Sequence, residues 1–129
     1  MIVLSFVIPS IPNSMNSMYN YIWRGYLQIS LKPDVRDWKD KAKLFIKPLK
    51  LPEKFKAELD ITFHIPCYYK NGNVKKIDTA NLLKVAQDAI CEKLGFDDCH
   101  IWKNKLEKVD SMDGKVTGEL RIYELETTT

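Results

Sequence analysis

The segment from Ala57 to Ile65 constrains the fold most. Ala57, Leu59, Ile61, Phe63 and Ile65 alternate without a break with Glu58, Asp60, Thr62 and His64. Side chains that repeat with a period of two stand on opposite faces of a strand. One face of that strand therefore belongs to a core, and a second layer has to cover it. Two stretches of helical period supply the layer. After Pro33, which suits a first helical turn, Val35, Trp38, Ala42, Phe45 and Ile46 recur at helical spacing until Pro48, with Arg36, Lys39 and Lys43 on a basic opposite face. Between Thr79 and Leu94, the residues Leu82, Leu83, Ala86, Ala89, Ile90 and Leu94 make an apolar stripe. Gly95 is placed to end that helix in the left-handed conformation.

The other segments are shorter. Ile2, Leu4, Phe6 and Ile8 alternate with Val3, Ser5 and Val7, which reads as a strand apolar on both faces and hence central. The stretch SMNSMYNYIWRGYLQIS has no consistent period and reads as an ordered loop ending in a short strand. CYYKNGNVKK, with its Asn-Gly, is a polar loop or hairpin tip. Cys99 to Val109 reads as a strand, DSMDG as a turn, and Val116, Gly118, Leu120 and Ile122 as the inner face of a returning strand, so this pair is expected to be a hairpin. The fold expected is α+β: a single-domain, two-layer α/β sandwich with a mixed or antiparallel sheet and two main helices. At 129 residues, 45% of them hydrophobic, the chain has enough for one core. The expected domain spans residues 1–126, with 127–129 a frayed end.

Composition excludes several classes. A formal charge of +3 does not announce a nucleic-acid partner, so the distribution of charge has to decide. Cys67, Cys91 and Cys99 are odd in number and form no Cys-x-x-Cys pair, which argues against a disulfide framework and a structural zinc site. The opening MIVLSFVIPSIPN has no basic leader and is too short to span a bilayer, so a soluble cytoplasmic protein is expected.

The chemistry concentrates around the second helix, in KIDTANLLKVAQDAICEKLGFDDC. Asn81, Lys84 and Asp88 lie three and four residues apart and share one polar side, with Asp78 before the helix and Asp97 and Asp98 after it. Each has an ordinary explanation. Asp78 or Thr79 can cap the helix, Lys84 and Asp88 can be a solvated pair, and Asp97 with Asp98 can be a turn. Together they allow more, because a helix returning to a strand can gather carboxylates beside a lysine, and hard oxygen ligands suit Mg²⁺. Lys70, Lys75 and Lys76 precede Asp78, and Lys103, Lys105 and Lys108 follow Asp98. Beside a metal site such lysines read as phosphate contacts, although a solvated basic surface is an equally ordinary reading. Tyr68 and Tyr69, and Tyr19, Tyr21, Trp23 and Tyr26, can stack on unpaired bases, while some of them serve the core or a dimer contact. His64 and His100 read as structural.

These residues resemble the RusA-type Holliday junction resolvases, Mg²⁺-dependent endonucleases of phage and prophage origin. That family's motif runs Asp-x-Asp-Asn-x-x-Lys and continues through a helix to an Asp-Asp pair. DTANLLK is similar to it at Asp78, Asn81 and Lys84, Asp88 occupies a further acidic position, and FDDCHI supplies Asp97 and Asp98. FVIPSIPNSMNSMY is similar to the strand, proline turn and Asn-Tyr loop that open the family. The resemblance implies catalytic roles for Asp78, Lys84 and Asp98, metal ligation by Asp78, Asp98 and Asp97, and support from Asn81 and Asp88. It implies Mg²⁺ as cofactor, with Mn²⁺ as a substitute, and DNA four-way junctions as substrate. DNA contacts would come from Lys70, Lys75, Lys76, Lys103, Lys105, Tyr68 and Tyr69. It also implies a homodimer, since two symmetric cuts call for two sites. The departure is Ala80, where the family has its second motif aspartate. Three origins fit it: a natural variant in which Asp88, Asp97 or water substitutes, an inactivating substitution, or a protein that binds junctions without cutting. Non-catalytic binding of branched DNA is thus the second reading. RNA binding is a more distant third, with no paired aromatic motifs on adjacent strands to carry it.

Overall fold

The computed structural model describes residues 1–12, 19–31, 33–77 and 79–126, with the backbone alone for 19–21 and 29–31. Asp78, the opening motif's residues 13–18 and the expected frayed end 127–129 lie outside them, as do the side chains of Tyr19 and Tyr21. In chain order the elements are β1 (Ile2–Ile8), β2 (Tyr19–Trp23), β3 (Leu27–Leu31), α1 (Pro33–Lys43), β4 (Phe55–Ile65), α2 (Thr79–Leu94), a 3-10 turn (Asp98–His100), β5 (Ile101–Asp110) and β6 (Lys115–Glu124).

The alternation of β4 organises the rest. Phe55, Ala57, Leu59, Ile61, Phe63 and Ile65 are all buried, and each residue between them is half-buried. Four strands form one sheet in the order β1-β6-β4-β5. β6 runs antiparallel to β1 and to β4, and β5 runs parallel to β4, so the sheet is mixed. Both helices contribute to a single apolar core: Val35, Trp38 and Ala42 from α1, with Ile46 beyond it, and Leu82, Val85, Ala86, Ala89, Ile90 and Leu94 from α2. The expected α+β architecture, two helices on a mixed four-stranded sheet, is what forms.

Gly118 shows how tightly β6 is held. A Cβ at this position would run into the Phe6 ring and the carbonyl oxygen of Asp60. The missing side chain is the space that Phe6 fills, and this close approach is why the inner face of β6 carries a glycine.

Four expectations are corrected. β1 is an edge strand rather than a central one, because among the described residues it pairs with β6 alone. Its second apolar row is not core: Val3 is 47% exposed and Val7 54%, for among the described residues no layer covers them. The stretch 19–31 is a hairpin, β2 with β3, rather than a loop ending in a strand. β5 and β6 are not a hairpin, since they lie on opposite sides of β4. Val116, Leu120 and Ile122 are fully buried and need an interior position, whereas β5 is exposed along nearly its whole length and suits an edge. Last, Phe45 is exposed and the stripe of α2 is wider than expected, with Val85 and Cys91 buried and Leu83 only partly so.

Candidate active site along helix α2

The helix starts at Thr79 and ends at Leu94, where Gly95 takes φ 78° and donates its N–H to the carbonyl of Cys91 at 2.8 Å. Phe96 donates to the same carbonyl at 3.1 Å. This left-handed cap turns the chain toward the 3-10 turn. On the polar side of α2, Ala80 and Lys84 are exposed, and Asn81 and Asp88 are half-buried.

The basic face of α1 is not a free surface. Lys39 Nζ meets Glu92 Oε1 at 2.8 Å and Lys43 Nζ meets Glu92 Oε2 at 2.9 Å, so two lysines tie α1 to α2 through one carboxylate. Burial pushes Glu92 upward, but hydrogen bonds from Lys39 and Lys43 outweigh it and hold the carboxyl below its usual range. Glu92 was not anticipated. The signal available was the i, i+4 spacing of Lys39 and Lys43, which calls for a shared acid.

Asp88, Cys91, Glu92, Gly95, Phe96, Asp97 and Asp98 line a groove of about 440 Å³ at the C-terminal end of α2. Asp97 caps the 3-10 turn, with Oδ1 accepting from the N–H of Cys99 at 3.2 Å. That backbone bond and a side-chain bond with Asp98 hold the Asp97 carboxyl below its ordinary value. Asp98 is exposed in the first turn. Burial raises the Asp88 carboxyl; Lys39 and Lys84 pull it down and Glu92 and Asp98 push it up, with a net rise. Burial, and then the charges of Asp98, Asp88, Asp97 and Glu92, push the Cys91 thiol up to about 12, which leaves it a protonated and poor ligand.

The donor set suits a hard divalent cation, because the groove offers carboxylates, one of them, Asp88, raised chiefly by burial, and no thiolate. It is incomplete: among the described residues no three His, Cys, Asp or Glu side chains gather closely enough to hold a metal ion. Helix length explains why. The 16 residues of α2 span roughly 24 Å at about 1.5 Å each, and Ala80 and Asp88 are about 12 Å apart along the axis. Because β5 runs parallel to β4, the chain after α2 returns to the start of β4, where His100 Nδ1 lies 3.3 Å from the Phe55 carbonyl oxygen. The start of the motif, at Thr79 and Ala80, and its end, at Asp97 and Asp98, are thus at opposite ends of the helix.

The basic residues also divide. Tyr68 and Tyr69 are exposed on a hairpin finger closed by a bridge from Tyr68 to Val74, and Lys75 Nζ lies 5.6 Å from the Tyr69 ring centre. Lys70 and Lys76 are exposed on the same finger or next to it. Lys103 and Lys105 pair in register with Glu58 and Asp60, on the sheet face turned away from the helices. Lys108 is opposite Phe63 on the helix side. His64 Nε2 is 2.9 Å from Thr117 Oγ1 and His100 stacks on Phe55 at 4.4 Å between ring centres, so both histidines are packed.

A mixed four-stranded sheet under two helices, with a carboxylate groove at the end of the second, defines a small α+β protein with an acidic site on one covering helix. Residues 11–121 match the sequence model of the family described as Endodeoxyribonuclease RusA, and the chain belongs to that family. Its enzymes are crossover junction endodeoxyribonucleases of recombination and repair, with Holliday junctions as substrates, and are generally metal-dependent. No curated protein matches the chain. No helix among the described residues is long and apolar enough to cross a membrane.

Proposed function

We propose that this chain is a structure-selective endodeoxyribonuclease that resolves four-way DNA junctions, that it works as a cytoplasmic homodimer with Mg²⁺ or Mn²⁺, and that Ala80 weakens its catalysis. The observation that carries the reading is the family match over 111 of the 129 residues, from 11 to 121. Asp88, Asp98 and Asp97 are the carboxylates available at the groove, and Asp78, which precedes α2 in the sequence, would join them from a second copy of the chain. When bound, Mg²⁺ supplies charge neutralisation and polarisation of the scissile phosphate. Lys84, exposed one turn before Asp88, neutralises charge on the phosphate, and Asn81 keeps the first turn of the helix in position. Asp97 fixes the turn that carries Asp98.

The length of α2 supports the dimer. Ligand oxygens lie about 2.0 to 2.6 Å from such an ion, so the two ends of one helix cannot share it. A two-fold axis that sets the helices of two copies antiparallel would put the Ala80 end of one beside the Asp98 end of the other. The finger with Lys70, Lys75, Lys76, Tyr68 and Tyr69 then contacts DNA near the cut, and Lys103 and Lys105 serve arms that reach the open face of the sheet.

Ala80 carries a methyl group that cannot ligate a metal, and this favours the second reading, binding of branched DNA without cutting. Single-turnover cleavage of a four-way junction decides between them. Ala80→Asp is expected to raise Mg²⁺-dependent cleavage by at least about tenfold, roughly 1.4 kcal/mol of barrier, with little change in junction affinity measured without metal. Equal cleavage by both proteins would show that Ala80 is tolerated. No cleavage by either at any Mg²⁺ or Mn²⁺ concentration would leave the binding protein.

A further inference from the structure

The β2–β3 hairpin is a sheet of its own, separate from the four-stranded one. Trp23 pairs with Leu27, and Arg24, Gly25 and Tyr26 make the three-residue tip. Gly25 takes φ 74°, a conformation that costs a glycine little, and the N–H of Arg24 donates to the carbonyl of Tyr26 at 3.0 Å. The tip is therefore built, and its side chains point to solvent: Trp23 is 74% exposed and Tyr26 64%, with Ile22 and Leu27 exposed beside them. Two large aromatic residues on a tight turn offer flat faces with few torsions to freeze.

Charge limits what can cover them. The first acidic residue of the chain is Asp34, so no carboxylate precedes α1, and Arg24 stands at the tip between the two aromatics. A tip-to-tip contact between two copies would set Arg24 against its own symmetry mate. A polyanion with exposed ring faces meets no such penalty, and stacking with an adjacent cation is how proteins grip unpaired bases.

We infer that the β2–β3 hairpin is a nucleobase-stacking wedge, in which Trp23 and Tyr26 stack on the base-pair faces left open at the branch point of a four-way junction and Arg24 holds a neighbouring phosphate. The inference rests on the junction-resolving reading, and it adds a second DNA contact outside helix α2. It gives the protein a means of telling a branch from a duplex, because only the branch presents open base faces.

The test uses the full chain in EDTA, so that nothing is cut, with a four-way junction carrying 2-aminopurine at the branch point and a linear duplex of matched length. The wild type is expected to change the 2-aminopurine fluorescence on binding. Trp23→Ala and Tyr26→Ala should each weaken junction binding by about tenfold, abolish the fluorescence change, and leave duplex affinity unaltered. Trp23→Phe should restore most of both signals, as stacking requires and a merely structural role does not. Arg24→Ala should lower the slope of log affinity against log salt by about 0.9, while Trp23→Ala leaves the slope unchanged. If the wild type prefers the junction and Trp23→Ala with Tyr26→Ala keep that preference, the wedge is refuted and the resolving function stands. Failure of the wild type to prefer the junction removes both. Conversion of a wild-type dimer to a monomer by Trp23→Ala, seen by sedimentation, would assign the tip to a second copy and overturn the wedge.

Discussion

The two faces of strand β4 are written in the same alternation and end in different physics. On the covered face Ala57, Leu59, Ile61, Phe63 and Ile65 are almost wholly buried beneath both helices. On the open face Glu58 and Asp60 grip one arginine from β6: Arg121 Nη1 lies 2.9 Å from Asp60 Oδ2, Arg121 Nη2 3.1 Å from Glu58 Oε2, and Glu119 adds a longer contact at 3.5 Å. Lys103 and Lys105 stand in register on this face too, and their charges help to hold the Asp60 carboxyl down. Burial of apolar area holds the first face, at about 25 cal/mol per Å², and charge pairing in contact with water organises the second, where each pair is worth little. The same contrast divides function. The acidic groove is at the end of a covering helix, while part of the basic surface lies on the other side of the sheet.

The largest effect should come from the covered face. Leu59→Ala should cost about 2 to 5 kcal/mol of unfolding free energy, since the cavity sits between sheet and helices, and urea denaturation measures it. A cost under about 1 kcal/mol would mean that the two faces are not so different. Gly118→Ala should follow at about 1 to 3 kcal/mol, because the added methyl meets the Phe6 ring and the Asp60 carbonyl. Pairing it with Phe6→Leu, which removes the ring, should recover part of the loss.

On the open face Arg121→Met should cost about 1 kcal/mol or less at neutral pH, the exposure of Asp60 screening what would otherwise be a stronger pair. The pH dependence sharpens this. A hydrogen bond from Arg121, opposed by some desolvation and helped by the charges of Arg121, Lys105 and Lys103, holds the folded Asp60 carboxyl below its unfolded value of 3.8. A depressed carboxylate stabilises the fold above the unfolded value and loses that contribution as pH falls through the folded one. The gap in melting temperature between wild type and Arg121→Met should therefore be constant from pH 7 to about 5 and close below about pH 4. A gap that persists at pH 2.5 would assign the effect to packing.

The smallest contrast concerns DNA. Lys103 and Lys105 face Glu58 and Asp60, whereas Lys75 and Lys76 are at the finger, so the double variant Lys75→Ala, Lys76→Ala should lower the salt slope of junction binding by about 1.8 and Lys103→Ala, Lys105→Ala by less than about 1. Equal slopes would place both faces in contact with the substrate.

By itself the sequence determined the elements whose side-chain period is complete: β4 and its inner face, both helices, and the ends of α2 at Thr79 and Gly95. It also determined the family, because the motif from Asp78 to Asp98 is local and its residues keep fixed spacing whatever the tertiary arrangement. Only the tertiary structure decided which strands are neighbours. Alternation tells a strand which face is apolar but not who lies beside it, and the short DSMDG link fits a hairpin as readily as a step past one strand. The interior place on the far side of β4 went to β6, whose Val116, Leu120 and Ile122 are fully buried, and β5 was left exposed at the edge. That choice carried Lys103 and Lys105 to the open face and set Asp97 and Asp98 a helix length away from Ala80. A helix keeps its two ends about 1.5 Å per residue apart, so residues that read as one motif along the chain are separated in space, and only the fold could show it.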